Sequence, residues 1–351
     1  MSRLLILHTG GTIGMQPGPD GYAPAPGFAD RLSRLLDAHE VGTLPDCRIL
    51  ELAPLIDSAD LAPADWTRIV AALAEHWQDH DGVVILHGTD TLAHTASALS
   101  FMLGALNKPV VLTGAQIPLG EPRSDAPSNL ATALQVAADP SAPPEVCIAF
   151  HDRLLRGNRA RKVRSQGLDA FDSPDAPWLG EAGIRLHLHA QRALPPGTPD
   201  FTPLAFAEGA VAMLPVHPGL SPALLDAVLS APGLRGLVLA TYGVGNPPGL
   251  SGALVERLRR AQRAGVTVVN VTQCHQGTVD QGAYATGAAL NAAGVVAGRD
   301  LSPEAAVTKL QVLIARGLAG EALASAMATP RCGEMTAAGG RTGQTAARGM
   351  S

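Results

Sequence analysis

Short apolar runs that end in turn residues, separated by stretches of helical periodicity, constrain this chain more than any other feature. The runs are Leu4 to Leu7, Val83 to Leu86, Val110 to Leu112, Val146 to Ala149, Val211 to Leu214, Leu237 to Ala240 and Val266 to Val271. They carry no polar alternation, so each reads as a strand buried on both faces. Helical patterns fill the intervals: Pro63 to His80, Thr91 to Leu106, Asn129 to Ala138, Pro222 to Leu229, Leu250 to Ala264 and Pro303 to Ala315. Strands alternating with helices of that length imply an α/β fold, a mainly parallel sheet flanked by helices.

A length of 351 residues exceeds one typical core and predicts two domains. The rhythm breaks from His187 to Gly209, where Pro195, Pro196, Pro199 and Pro203 fall without periodicity. The expected division is a larger N-terminal α/β domain over 1–188, a linker over 189–209, a smaller C-terminal domain with a parallel sheet over 210–335, and a mobile tail over 336–351. With 46% hydrophobic but only 3% aromatic residues, the core must be built from Ala, Leu and Val.

Charge and cysteine usage exclude several functions. A net charge of -5 gives no basic face for nucleic acid. Cys47, Cys147, Cys274 and Cys332 are widely spaced and form no C-x-x-C pair, so neither a disulfide framework nor a zinc site is expected. The apolar run after Arg3 is too short for a signal-peptide core. No stretch approaches the roughly 20 apolar residues of a membrane span. A cytoplasmic protein without nucleic-acid or membrane partners is the expectation, with no metal and no cofactor.

Two turns look alike. Leu5-Ile6-Leu7-His8-Thr9-Gly10-Gly11-Thr12 and Val84-Ile85-Leu86-His87-Gly88-Thr89-Asp90-Thr91 each run from a buried strand into a Gly-containing turn that carries threonines. Ligands of open parallel sheets bind beyond the carboxyl ends of the strands. Glycine there lets the backbone approach a ligand and aim N–H groups at it. A threonine beside such donors offers a nucleophile next to an oxyanion site. A single Gly-Thr turn is common and Thr can simply bond its own backbone; the matched pair carries the functional reading. Gly10 to Gly14 and Gly243 to Gly249 lack the spacings of phosphate-binding loops.

Further motifs follow in order: Asp57-Ser58-Ala59-Asp60, Leu112-Thr113-Gly114-Ala115-Gln116-Ile117-Pro118, Arg156-Gly157-Asn158-Arg159 before Lys162, Tyr242-Gly243-Val244-Gly245-Asn246, and Tyr284-Ala285-Thr286-Gly287. Together with the two turns they make the chain, from Leu4 to about Glu334, resemble the bacterial L-asparaginases of the asparaginase/glutaminase family, specifically the type I cytoplasmic group. The resemblance implies hydrolysis of L-asparagine to L-aspartate and ammonia through a threonine-linked acyl-enzyme, with minor activity on glutamine. It implies Thr12 as nucleophile and Tyr22 as a lid tyrosine that contacts Thr12. It implies Thr89, Asp90 and Lys162 as a second catalytic group. Asp90 would also grip the substrate amino group and Ser58 its α-carboxylate, with Gly11, Asp57, Gly88 and Ala115 around the substrate. Asn246 would reach the site of a neighbouring subunit in a homodimer or homotetramer whose sites lie near subunit interfaces.

The chemistry fits these residue types. A threonine hydroxyl needs a base, and lysine can serve where burial or neighbouring cations weaken its hold on a proton; Arg159 and Arg161 flank Lys162. The segment Gly14 to Tyr22 reads as a lid too rich in Gly and Pro for regular structure. Arg153, Arg156, Arg159, Arg161, Lys162 and Arg164 read as solvated arginines, interface ion pairs and one buried lysine. His187 and His189 read as an exposed pair, not a metal site. Cys274 and His275, adjacent on an extended run, point to opposite faces. One departure stands out. The resemblance implies an asparagine effector pocket that uses an arginine and a threonine where this chain has Ala240 and Arg161, with Cys274 retained; weak or absent activation is therefore expected. A glutamine-hydrolysing subunit of a tRNA-charging amidotransferase shares the architecture but usually carries an extra N-terminal domain before its first threonine. A ligand sensor would have no need of Thr12 and Lys162.

Overall fold

The computed structural model describes residues 2–19, 21–24, 27–32, 45–248, 252–283 and 285–337. In the first half the chain forms β1 (Arg3–Gly10), a hairpin of β2 (Met15–Gly18) and β3 (Gly21–Pro24), β4 (Asp46–Ile56), helix α1 (Pro63–His76), β5 (Gly82–Leu86), α2 (Leu92–Leu103), β6 (Val110–Thr113), α3 (Ala126–Ala138) and β7 (Val146–Phe150). It continues through β8 (Arg153–Arg156), β9 (Arg161–Lys162), β10 (Phe171–Asp172), β11 (Gly180–Ala182) and β12 (Leu186–Leu188). One eight-stranded sheet has the order β12-β11-β8-β7-β6-β5-β1-β4. Strands β4, β1, β5, β6 and β7 run parallel, and β8, β11 and β12 complete the sheet antiparallel.

From β1 the chain passes to β4 on one side, then crosses back to β5 on the other. The order therefore reverses between β1 and β5, and that switch point opens a crevice at their carboxyl ends. The central strands are buried on both faces. Leu5, Leu7, Val83 and Ile85 pack with α1 and α2, while Leu4, Ile6, Val84 and Leu86 pack with α3. Each such side chain contributes about 1.5–3 kcal/mol by burial.

The second half forms β13 (Val211–Pro215), α4 (Pro222–Leu229), β14 (Gly236–Thr241), α5 (Ala253–Arg263), β15 (Thr267–Thr272), α6 (Ala285–Ala292), β16 (Val296–Ala297), α7 (Pro303–Ala315) and α8 (Gly320–Ala328). Its four strands pair in parallel in the order β13-β14-β15-β16. Helices α4 and α7 start where Ser221 and Ser302 cap the backbone N–H groups of Leu224 and Ala305, each followed by proline at the first helical position. Leu310 and Leu313 of α7 join Val238 and Val269 to the core that also holds Leu5 and Ile85, so the two sheets share one hydrophobic interior.

Several segments differ from the expectation. Strand β4 escaped it because this is an edge strand with mixed burial and an internal proline. Its bulge brings Ile56 opposite Gly10. The lid expected to lack regular structure contains the β2–β3 hairpin, with Gly18 opposite Gly21. In a two-stranded ribbon both strands are edges, so Pro17 removes no needed bond. The helix expected over Pro63 to His80 ends at His76 and finishes as a 3-10 turn, Trp77–Asp79. The proline-rich segment, expected as the linker, is strapped onto the first domain. Gly197 and Asp200 donate to Leu106 and Leu103 carbonyls at 2.8 Å, and Phe201 and Phe206 stack edge-on against Trp77 and Trp66. Tyr284, and the expected tail from 338 onward, lie outside the described residues; Thr336, placed at the start of that tail, is bonded to Asp300.

After α8 the chain is locked by Lys309 and Glu334, both fully buried, with Nζ 2.7 Å from the carboxylate. Lys309 also donates to the carbonyls of Met327 and Thr329, and Glu334 accepts from the N–H groups of Arg331 and Cys332. Burial alone would raise the Glu334 pKa; the lysine and the N–H donors outweigh it and hold the carboxyl below its ordinary range. Glu334→Ala strands a buried ammonium and should cost about 3–5 kcal/mol in urea unfolding. A loss under 1 kcal/mol would mean that the pair does not lock this segment.

Candidate active site

Glycine makes the crevice possible. A Cβ on Gly10 would overlap the Ile56 carbonyl, one on Gly11 would overlap Gly88 Cα and N, and one on Gly88 would overlap Ser58 Oγ. Gly10 and Gly11 also have φ of 128° and 89°, a region that side chains disfavour. The ends of β4, β1 and β5 therefore meet backbone to backbone, bringing Ser58, Thr12 and Thr89 to one place. Thr12 opens a 3-10 turn, Thr12–Gly14. Ser58 and Thr89 are buried, and Thr91 Oγ1 donates to the Ser58 carbonyl at 2.8 Å, tying the β4 end to the β5 turn. Asp57 is exposed; its Oδ1 accepts from Ala59 N–H at 3.0 Å, an Asx turn beside Ser58.

Lys162 arrives from β9, which pairs with β10. Its Nζ donates to Thr89 Oγ1 and to Asp90 Oδ1, both at 2.8 Å. The Asp90 side chain remains 61% exposed, so it retains acceptor capacity toward the crevice. The flanking arginines are engaged elsewhere. Arg159 pairs with Asp300 at 3.0 Å and Arg161 with Glu304 at 3.2 Å, so sequence adjacency does not make either a bare cation beside the lysine.

The β6 end adds a fourth wall. Ala115 is fully buried there, and Gly114 lies so close to the His87 carbonyl that a Cβ would overlap it. Asp125 fixes this turn by accepting from Gln116 and Ile117 N–H at 3.0 Å. Gln116, whose motif does not signal a role for it, receives the Thr89 hydroxyl at 3.2 Å. His87 supports the β5 turn from within, a role that its place in the motif does not signal. Trp66 Nε1 donates to Thr95 Oγ1 at 3.1 Å, and Thr95 Oγ1 lies 3.0 Å from His87 Nε2. His87 Nδ1 is 2.8 Å from the Gly88 carbonyl. A carbonyl only accepts, so Nδ1 carries the proton, and the neutral ring then accepts from Thr95. Burial pushes its pKa down to about 4.

Two expected residues sit apart from this convergence. Tyr22 is half-exposed on the hairpin, and its hydroxyl is directed to the Glu121 carboxylate; hydrogen bonding there raises the phenol's pKa. Among the described residues no hydrogen bond joins it to Thr12. Tyr22 lies opposite Pro17 in the hairpin, and Glu121, its partner, lies on the β6–α3 loop. Asn246 lies after β14 in the second sheet, where its backbone pairs with Tyr242. Ala240 belongs to the core shared by the two sheets.

Fold and site together define a class: two α/β domains, with hydroxyls, a carboxylate and an amine gathered at the switch point of the first. Residues 3–194 match the family model described as Asparaginase, N-terminal, and residues 210–327 match the one described as Glutaminase/Asparaginase C-terminal domain. The chain belongs to the asparaginase family. It is 43% identical to L-asparaginase 1 of Escherichia coli (strain K12), over 95% of this chain and 98% of that protein. The crystal structure of L-asparaginase I from Vibrio cholerae superposes with a TM-score of 0.86 at 40% identity, covering 96% of this chain and 99% of that one. The thermostable L-asparaginase from Thermococcus kodakarensis gives 0.87 at 36%, covering 95% and 99%. No helix among the described residues is long and apolar enough to cross a membrane.

The buried imidazole ties the site to pH. His87 stays neutral in the folded chain to about pH 4, whereas in the unfolded chain it takes up a proton near 6.5. Its stabilisation is complete above pH 6.5 and is lost as pH falls toward 4, by on the order of 3 kcal/mol. His8, pushed down to about 4 by burial and by Arg31, acts in the same sense. Unfolding free energies measured from pH 7 to 4 should therefore fall more steeply for the wild type than for His87→Gln. Equal slopes would show that His87 is not held neutral.

Proposed function

We propose that the protein is an amidohydrolase that converts L-asparagine to L-aspartate and ammonia, with L-glutamine as a minor substrate. One observation carries the reading: the Lys162 amine lies 2.8 Å from both Thr89 Oγ1 and Asp90 Oδ1, at the crevice where Gly11 and Gly88 meet. Thr12 Oγ attacks the side-chain amide carbon, backbone N–H groups of the two turns hold the oxyanion, and the C–N bond breaks to release ammonia. Water then adds to the Thr12 ester, aspartate leaves, and the Thr12 hydroxyl is restored. The Thr89–Lys162–Asp90 group moves protons and orients the water.

Substrate recognition follows from the walls. Asp90, exposed beyond its lysine bond, takes the α-ammonium. Ser58 Oγ, beside Gly88, takes the α-carboxylate, with Asp57 and Ala115 closing the pocket. The hairpin serves as the lid: closure carries Tyr22 from Glu121 to Thr12 and excludes water from the first step. Asn246 completes the site of a neighbouring subunit, so the active form is a homodimer or homotetramer, working in the cytoplasm without metal or cofactor. Ala240 lies in the core and Arg161 is paired to Glu304, which supports weak or absent activation by asparagine.

Ammonia release from asparagine and glutamine, each over a concentration series, tests these statements. Asparagine should be preferred, and its rate curve should be hyperbolic. Thr12→Ala and Thr89→Val should each lower kcat by at least about 10³-fold. Near-normal turnover by Thr12→Ala would remove the assigned nucleophile, and a sigmoidal curve would restore an effector site.

A further inference from the structure

We infer that Gln116 is a positioning residue of this site, one that aims the Thr89 hydroxyl and holds it in register with Lys162. The inference rests on the hydrolytic reading above. Gln116 is pinned at both ends. Asp125 accepts its backbone N–H with both carboxylate oxygens at 3.0 Å. Its side-chain Nε2 donates to the carbonyls of Ser165 and Gly167, each at 3.2 Å.

Those two carbonyls decide which way the amide faces. The opposite orientation would set Oε1 against two acceptors, leaving no proton between them. Oε1 therefore faces Thr89, whose hydroxyl lies 3.2 Å away. Lys162 Nζ already donates to Thr89 Oγ1, so the threonine's own proton has Gln116 as its acceptor. The hydroxyl is held between a donor and an acceptor, and its rotation is fixed.

The same side chain sets a spacing. Ser165 and Gly167 belong to the loop that follows Lys162. That loop is closed by Val163 N–H on the Ala170 carbonyl at 2.7 Å and by the Arg164–Asp169 ion pair at 2.8 Å. Gln116 thus bridges the β6 turn, the Thr89 turn and the lysine loop. A shorter residue cannot reach both Thr89 and the loop, and an apolar one of the same length can bond neither.

Gln116→Met retains length and removes both functions. Its kcat on asparagine should fall about 10- to 100-fold, while KM stays within about threefold. L-Aspartate affinity and thermal midpoint should match the wild type. Combining it with Thr89→Ser supplies the readout that a merely structural role would not move. Serine lacks the β-methyl that restricts the hydroxyl rotamer, so its aim depends more heavily on Gln116. The double variant should be slower than the product of the single effects by more than about threefold. Gln116→Asn, too short to span, should lose kcat in the same sense, and it decides the matter if the Met variant melts early. Wild-type kcat in a folded Gln116→Met or Gln116→Asn, or effects that simply multiply with Thr89→Ser, would overturn this inference alone. A wild-type protein releasing no ammonia from asparagine would overturn the hydrolytic reading and this inference together.

Discussion

The close approach of two backbones governs this structure. Gly11 and Gly88 touch where β1 and β5 end, with Ser58 against the second glycine, and no side chain can intervene at either position. Parallel strands in register would ordinarily keep their following loops apart by a strand spacing. Here the two turns close that gap, Gly11 lying against Gly88, with glycine φ values above zero at Gly10 and Gly11. Four elements distant in sequence can then contribute to one crevice, because each needs only to reach the end of its own strand.

Such an arrangement needs a rigid surround, and the polar interior supplies it. The chain of donors from Trp66 through Thr95 and His87 to the Gly88 carbonyl fixes the β5 turn from below. Asp125 fixes the β6 turn from the side. Buried polar chains of this kind either satisfy every member or become liabilities; the neutral His87 satisfies its chain because burial keeps the second proton off.

Much of this was legible in the sequence, for reasons that also explain what was not. Strands buried on both faces leave unbroken apolar runs, and β1, β5, β6, β7, β13, β14 and β15 all begin or end within two residues of theirs. Ser-Pro starts placed α4 and α7 at the expected residues. Edge elements left weaker signals. Strand β4 has one buried residue in eleven and carries Pro54, and the β2–β3 hairpin has turn composition throughout. Within the site, Thr89, Asp90 and Lys162 do come together. Gln116 and His87 stayed silent because their part depends on which atoms face one another, and neither residue type at that spacing announces it. Tyr22 shows the converse. Its segment reads as a lid in sequence, yet it is a strand of the hairpin and its side chain rests on another partner.

The run from Arg153 to Arg164 makes the same point in electrostatic terms. In sequence it has the look of a basic patch; in the fold its charges disperse into separate pairs. Arg156 pairs with Glu145, Arg159 with Asp300, Arg161 with Glu304, Lys162 with Asp90 and Arg164 with Asp169. Three of these carboxylates belong to the first domain, whereas Asp300 and Glu304 belong to the second. Asn158 and Arg159 also donate to the carbonyls of Cys332 and Gly333, in the segment that Lys309 and Glu334 lock. The short path from Arg156 to Lys162 is thus gripped from both domains, and the amine at its end is delivered to Thr89 by contacts that the smaller domain helps to make. The second domain therefore belongs to the geometry of the first domain's site even within one chain, which gives a physical reason for the shared core in which α7 packs on α2.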